Sequence, residues 1–307
     1  MDRIAVLIPC FNEGQTVSKV IKDMKRELPE ATIYVYDNNS TDDTISQAES
    51  AGAVVRREYR QGKGYVVRSM LRDIDADVYL MVDGDDTYPV EKARELVAPV
   101  LEGRADMVNG SRLHSGSNSS FKPLNLLGNK IFLVLINSIF KHRITDLLTG
   151  FRAFNRRVAF LPLFSKGFDI ETELTLKSLE NNLVIMEVPV DLSDRHEGSS
   201  SKISPISDGT LILQVIFTIM RDYKPLTSFG LMGLVCLALA FVLGKPHIAG
   251  ALQSGDWAGL TLFLSVLAAL TGISAILIGI LLHAISRRFQ GLEMQMSEHL
   301  TKRGPGG

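Results

Sequence analysis

A chain of 307 residues is long enough for one large domain or two ordinary ones. Its 33 basic and 34 acidic residues leave a net charge of −1, so no global basic field points to nucleic acid. Only two cysteines occur, Cys10 at the end of one apolar run and Cys236 inside another, which argues against a disulfide and for a reducing compartment.

The apolar content is 46% and mean hydropathy is positive, and the excess collects after Pro225. A soluble front part and a lipid-facing back part are therefore expected. Met1-Asp2-Arg3 followed by the short run Ile4–Pro9 is too brief for a secretory h-region and lacks a small-residue cleavage site. It reads instead as a buried parallel strand.

From there the front part alternates. Ile4–Ile8 is a strand, and Thr16–Leu28 carries Val17, Val20, Ile21, Met24 and Leu28 at helical spacing. Thr32–Tyr36 is the next strand, and Ser40-Thr41-Asp42 is placed to cap a helix toward Ala51. Val54-Val55 is a short strand, Gly62-Lys63-Gly64 opens a helix ending near Ile74, and Val78–Val82 is a strand that stops at Asp83. Val90–Glu102 reads as helix and Asp106–Asn109 as strand. This order predicts an α/β domain with a mostly parallel sheet and right-handed crossovers, spanning about residues 1–206. Ligands on such sheets bind beyond the carboxyl ends of the strands, where Asn12-Glu13, Asp37 and Asp83–Asp85 all fall.

The middle is less regular. Leu124–Phe140 is nearly apolar on all sides, and Asp208–Arg221 keeps Asp208, Gln214, Thr218 and Arg221 on one side. Both suit helices lying in a membrane interface, at about 124–140 and at 207–225. Leu226–Leu243 and Leu260–Leu282 contain no charged residue, and each can cross a hydrocarbon core of about 30 Å. Two transmembrane helices within 226–286 are expected, with Arg221 and Lys224 on one flank and Arg287 and Arg288 on the other. That asymmetry puts both flanks, the front domain and the 287–307 tail in the cytoplasm of a multi-pass cell-membrane protein. Thr301–Gly307 reads as an unstructured end.

Asp83-Gly84-Asp85-Asp86 packs three carboxylates into four residues. Such a self-repelling cluster after an apolar strand suits a divalent cation, Mg2+ or Mn2+, held by one or two carboxylates plus phosphate oxygens. The alternative is a solvated acidic turn before Tyr88-Pro89. Glu13 and Asp37 are placed to accept hydrogen bonds from ribose or base, or else to serve as cap and turn residues. Gly62-Lys63-Gly64 offers backbone N–H groups and a cation to phosphates.

Taken in order, Pro9-Cys10-Phe11-Asn12-Glu13, Tyr36-Asp37-Asn38-Asn39-Ser40-Thr41-Asp42-Asp43-Thr44, Gly62-Lys63-Gly64 and Asp83-Gly84-Asp85 resemble the family 2 inverting glycosyltransferases. Gly110-Ser111-Arg112, Asp146–Arg152, Val188-Pro189-Val190 and Arg195–Lys202 extend the resemblance to the branch of dolichol-phosphate mannose synthase and the polyprenyl-phosphate sugar transferases, over about residues 1–225. The resemblance implies a GT-A fold and a nucleotide site built from Pro9, Phe11, Glu13, Asp37, Lys63 and Asp83. It further implies a metal held by Asp85 with Asp83, and a homo-oligomer in the membrane. Thr87 stands where relatives often carry Gln, and Asp37-Asn38-Asn39 replaces the commoner Asp-Asp-Gly, which leaves base specificity open.

A nucleotide-diphosphate sugar as donor and a polyprenyl phosphate as acceptor are the implied partners. A hydroxyl acceptor needs a general base, whereas a phosphate monoester, with second pKa of about 6, is already mostly dianionic at neutrality. Such an acceptor needs cations instead. Arg112, Lys130, Arg152, Arg195 and Lys202, with Ser199 beside them, are the candidates for the acceptor phosphate. Asp85, Arg112, Arg195 and Lys202 are the residues expected to carry the transfer. UDP-GlcNAc or UDP-glucose is the first expectation for the donor and GDP-mannose the second. Asp169, Glu171 and Glu173 read as the acidic start of a helix or as acceptor-positioning groups. A small processive synthase using Glu173 or Glu171 as base is the enzymatic alternative, and a nucleotide-binding membrane scaffold the non-catalytic one.

Overall fold

The computed structural model describes residues 3–112, 133–134, 136–138, 140–167, 170–192, 225–254 and 259–302. Two compact units divide the chain, one of residues 1–203 with 296–307 and one of residues 204–295.

The first unit is built on a seven-stranded sheet. Its strands are β1 (Ile4–Cys10), β2 (Thr32–Asp37), β3 (Val54–Arg57), β4 (Val78–Met81), β5 (Met107–Ser111), β6 (Arg152–Asn155) and β7 (Ile185–Pro189). The spatial order is β3-β2-β1-β4-β6-β5-β7. The β1–β2, β1–β4, β2–β3 and β5–β7 pairs are parallel, and β6 runs antiparallel to both β4 and β5.

The interior strand β1 is buried along its whole length, as its uninterrupted apolar run requires. Successive residues feed opposite faces: Ile4, Val6 and Ile8 join one core cluster while Ala5 and Leu7 join the other. On the first face lie α1 (Val17–Glu27), α2 (Thr44–Ser50) and α4 (Ala93–Leu101), preceded by a 3-10 turn at Val90–Lys92. Helix α1 buries Val17, Val20, Ile21 and Met24, the stripe its spacing predicts, and carries Lys25 and Arg26 in its last turn, where cations favour a helix C-terminus. On the second face lie α3 (Lys63–Asp73), the short α5 (Arg156–Ala159) and α6 (Ile170–Glu180).

The chain leaves β1 toward β2 and β3, then returns to β4 on the other side of β1. The carboxyl ends of β1 and β4 therefore flank a topological switch point, and the crevice there is the natural ligand site.

Helices α7 (Pro225–Ser254) and α8 (Leu260–Lys302), the latter within the second unit as far as Gln295, form an antiparallel hairpin. Their axes approach closely at Gly233 and Gly272, where a Cβ on either would meet the other's carbonyl oxygen. The Ser265 hydroxyl donates to the Ala240 carbonyl at 2.7 Å. Pro225–Lys245 and Leu260–Phe289 are long and apolar enough to cross a membrane. Leu234, Phe241, Leu260 and Leu281 are exposed, which suits a lipid environment and not water. Helix α8 runs on to Lys302, two residues into the segment expected to be unstructured.

Of the interfacial segments, residues 133, 134, 136–138 and 140 are helical, whereas 207–224 lies outside the described residues.

Candidate active site

Three loops meet at the crevice, and short polar side chains tie them together. Asn12 adopts a left-handed backbone, φ 58°. Its N–H donates to Ser40 Oγ at 2.8 Å, and its Oδ1 accepts from the Thr41 N–H at 2.8 Å. The Glu13 N–H donates to Thr44 Oγ1 and the Gly14 N–H to Asp42 Oδ2, at 2.9 and 3.0 Å. Ser40-Thr41-Asp42 thus holds the β1 loop, and the helix it was expected to cap begins later, at Thr44. Burial works against ionisation of Asp42, yet its bonds from Thr44 and Gly14 hold its carboxyl below the usual range.

Asp37 is buried and accepts from the Ser40 N–H. Asn38 spends its side chain on the next loop: Nδ2 donates to the Glu58 and Arg60 carbonyls, and Oδ1 accepts from the Gly62 N–H. Of Asp37-Asn38-Asn39, the two asparagines are therefore scaffold. Beneath them the Cys10 thiol is pushed well up by burial, then by Glu13, Asp37, Asp83 and Asp42. A Cβ on Gly84 would stand 2.8 Å from Cys10 Sγ and 3.6 Å from the Glu13 Cβ, so the loops after β1 and β4 do converge.

At the end of β4, Asp83 is gripped from several sides. Its Oδ1 accepts from Lys63 Nζ at 2.5 Å, and the same ammonium reaches Glu171 Oε1 at 2.5 Å. Burial would lower the Lys63 pKa, but Asp83 and Glu171 more than offset it and the net shift is upward. Behind Asp83 lies Gly150, where an added Cβ would stand 2.4 Å from Asp83 Oδ2. Only glycine lets the backbone lie flat against that carboxylate. The Gly150 N–H donates to the Tyr88 hydroxyl at 2.8 Å, and burial pushes that phenol up. Asp85 Oδ1 accepts from the Thr87 hydroxyl at 2.7 Å, which fixes the carboxylate's rotamer. Asp86 sits at φ 60° in the turn that follows and pairs with Lys19 at 2.6 Å.

The glycines of Gly62-Lys63-Gly64 make room for a neighbouring segment. The Ser165 and Lys166 carbonyls press against them: an added Cβ would come within 2.2 Å of Lys166 O at Gly62 and 2.3 Å of Ser165 O at Gly64. Gly62 also sits at φ 135°, a conformation L side chains rarely adopt. That covering segment is pinned by Glu173, whose carboxylate accepts from the Phe164 and Ser165 N–H groups.

Arg112, at the end of β5, makes a two-pronged pair with the buried Asp146, at 2.6 and 2.9 Å. Burial would lower the Arg112 pKa, but the Asp146 bonds dominate and hold it up. Asp146 in turn is fixed from β7, because Glu187 accepts from the N–H groups of Thr145 and Asp146. Arg152 is a correction to the sequence reading. It is fully buried, and its guanidinium is spent on the Thr149, Leu147 and Glu171 carbonyls and the Thr175 hydroxyl. Burial pulls its pKa below the ordinary value, Glu171 offsetting this in part. A side chain so placed shapes the 147–149 turn and does not receive an incoming phosphate.

Pro9, Phe11, Glu13, Asp37, Asp83 and Asp85 lie at or just beyond the carboxyl ends of β1, β2 and β4, and Lys63 opens α3. Lys130, Arg195, Ser199 and Lys202, with Asp169, lie outside the described residues. Gly150, Tyr88, Glu187 and Lys63's bond to Glu171 went unassigned from sequence, since nothing local marks them. Among the described residues no group of three or more His, Cys, Asp or Glu side chains surrounds a cation position.

Comparison with known proteins adds independent findings. Residues 5–160 match the family model described as glycosyl transferase family 2. The chain is 35% identical over 240 residues to glycosyltransferase AglJ of Haloferax volcanii, covering 77% of this chain and 78% of the relative. It is 28% identical over 223 residues to the dolichyl-phosphate hexose transferase of the same organism, covering 73% and 96%. Among solved structures, glucosyl-3-phosphoglycerate synthase from Mycobacterium tuberculosis, in complex with Mn2+ and UDP-glucose, superposes with a TM-score of 0.56 at 22% identity. That match covers 71% of this chain and 78% of the other, and it shows a shared GT-A-like fold.

Proposed function

The chain belongs to glycosyl transferase family 2, and from that premise we propose that it moves one sugar from a nucleotide diphosphate to a polyprenyl phosphate at a membrane. The observation that carries the choice of acceptor is that each of the two candidate bases on α6 already carries at least one bond. Glu173 holds two backbone N–H groups and Glu171 is paired with Lys63. A hydroxyl acceptor would need a general base, whereas a phosphate dianion attacks without one. This disfavours the processive synthase. The name of the dolichyl-phosphate hexose transferase relative and the apolar hairpin support the same reading.

A divalent cation, Mg2+ or Mn2+, fits the donor set. Asp83 and Asp85 supply two carboxylates at the end of β4, and substrate diphosphate oxygens would complete the shell. When bound, the cation offsets the charge that develops on the departing diphosphate. The protein's own groups do the rest. Thr87 keeps Asp85 oriented, Lys63 and Gly150 keep Asp83 in place, and Asp146 aims the Arg112 guanidinium. In the reaction a phosphate oxygen forms a bond to the anomeric carbon and the carbon–oxygen bond to the diphosphate breaks. The electron pair leaves with the nucleoside diphosphate, inverting the anomeric centre. Arg195, Ser199, Lys202 and Lys130 remain the proposed acceptor-phosphate contacts. The proposed setting is a homo-oligomer whose catalytic unit faces the cytoplasm, with UDP-GlcNAc or UDP-glucose as donor and GDP-mannose as second choice.

The test mixes the full-length protein, Mg2+ or Mn2+, a panel of nucleotide sugars, and undecaprenyl or dolichyl phosphate. A lipid-linked monosaccharide is expected. Nucleotide release that needs a saccharide acceptor instead would overturn the reading.

A further inference from the structure

A carboxylate oxygen sealed from water needs a donor, and leaving it without one is costly. Glu171, in the first turn of α6, is 3% exposed. Its Oε1 is occupied by Lys63 Nζ. Its Oε2 is buried and has no hydrogen-bond partner among the described residues. Because Lys63 bridges Glu171 to Asp83, this oxygen lies beside the carboxylate motif that the donor's diphosphate would approach.

The missing partner can be narrowed by chemistry. A phosphate is repelled by a carboxylate. A second cation would compete with the Lys63 ammonium already present, and the surrounding described residues offer no ligand cage. The polyprenyl chain has no donors. Ribose and base belong with Asp37, at the end of β2 on the far side of β1. The hydroxyls of the sugar attached to the diphosphate remain, and they are neutral donors of the kind a buried carboxylate oxygen requires.

We propose that Glu171 Oε2 accepts a hydrogen bond from a hydroxyl of the sugar being transferred, making Glu171 a determinant of donor-sugar choice. This rests on the nucleotide-sugar reading above. Lys63 fixes the carboxylate's orientation through Oε1, and Asp83 shares the same ammonium. A site built to bond a hydroxyl discriminates sharply against a sugar that lacks it or points it elsewhere, because the buried acceptor is then left unpaired.

The experiment is calorimetric binding of UDP, UDP-glucose, UDP-GlcNAc, GDP and GDP-mannose to the full-length protein with Mg2+, for the unaltered chain and for Glu171→Gln. The nucleoside diphosphate is expected to bind both proteins alike, while the preferred nucleotide sugar loses about tenfold or more on Glu171→Gln, as expected for one hydroxyl bond to a charged group. Single-deoxy forms of that sugar nucleotide, tested on the unaltered protein, read the same bond without any substitution. One deoxy position should reproduce the loss. Equal weakening of diphosphate and nucleotide sugar by Glu171→Gln would overturn the inference, and so would unchanged affinity for every deoxy form. Failure of the unaltered protein to bind any of the nucleotide sugars would overturn the proposed function as well, so the two failures are distinguishable.

Discussion

The two halves of the crevice are held in different ways. On the β1–β4 side three carboxylates bind near neighbours, Asp85 the Thr87 hydroxyl, Asp42 Thr44 and Glu58 Arg60, each two residues away, beside longer ties such as Glu13 to Thr44 and Lys63 to Asp83. On the β6–β5–β7 side the ties reach across the fold. Glu187 holds Thr145 and Asp146 from about forty residues away, Arg112 grips Asp146 over 34, and Gly150 donates to Tyr88 over 62. Local ties form as soon as the loop does, whereas distant ones require the whole sheet. Damage to a distant tie should therefore disturb geometry and stability together, and damage to a local tie should be contained.

The largest effect is expected at Gly150. Alanine there would drive a methyl group into the Asp83 carboxylate, which is backed by Lys63 and cannot retreat freely. Gly150→Ala should lower the transfer rate by about 100-fold, the penalty typical of a misplacement near 1 Å. Circular dichroism should stay native. Unchanged activity would mean that Asp83 does not act in the position seen here.

Next comes Asp146→Asn, which strands the Arg112 charge. Breaking a buried pair of this kind costs about 3–5 kcal/mol, and the measurement is thermal or denaturant unfolding of the detergent-solubilised protein. Burial alone would raise the Asp146 pKa, but the Arg112 bonds hold it below the ordinary carboxylate value. Its stabilisation is therefore present above the unfolded-state pKa and lost as pH falls through the folded one. Asp146→Asn should flatten that acid limb. A variant as stable as the parent would place Arg112 outside the frame that holds the site.

The same division decides what could be read in advance. Alternating apolar runs and helical stripes placed β1–β5 and their helices within a few residues, because each buries its own pattern. The loops after β1, β2 and β4 followed from strand ends alone. Strand β6 was missed: Arg152–Asn155 is only four residues long and enters between β4 and β5 antiparallel to both, which no local period announces. Arg152 looked like a phosphate ligand because a motif shows its charge and not its burial. The packing demand on Gly62 and Gly64 was not legible because the carbonyls that press on them come from residues 165–166. The bridge from Lys63 to Glu171 joins residues from separate helices on one face of the sheet, a fact of packing and not of spacing.

A smaller effect belongs to Thr87. Valine keeps its shape and removes the hydroxyl bonded to Asp85. A hydroxyl bond to a carboxylate contributes about 1.5 kcal/mol, so Thr87→Val should reduce kcat/KM by about tenfold and raise the Mn2+ concentration giving half-maximal rate. Stability should hardly move. A large fall in melting temperature would erase the contrast between local and distant ties.

The smallest effect, and the cleanest test of containment, lies at Glu58. Its carboxylate accepts from the Arg60 side chain and N–H and is bonded to the Ser69 hydroxyl. The Arg60 bonds are the chief reason its pKa falls to about 2, with burial opposing them. An unfolded glutamate titrates near about 4.3, so the folded state favours the ionised form. The resulting stabilisation is complete above that value and disappears as pH falls toward about 2. Arg60 is largely solvent-exposed, so screening keeps the contribution modest and salt should weaken it further. Glu58→Gln should leave the melting temperature little changed at pH 7, reduce its decline between pH 5 and pH 2, and spare the transfer rate. If the rate falls as far as it does for Gly150→Ala, the loop that Asn38 anchors is coupled to Asp83 as tightly as the distant ties are. The division between the two halves would then have to be redrawn at β3.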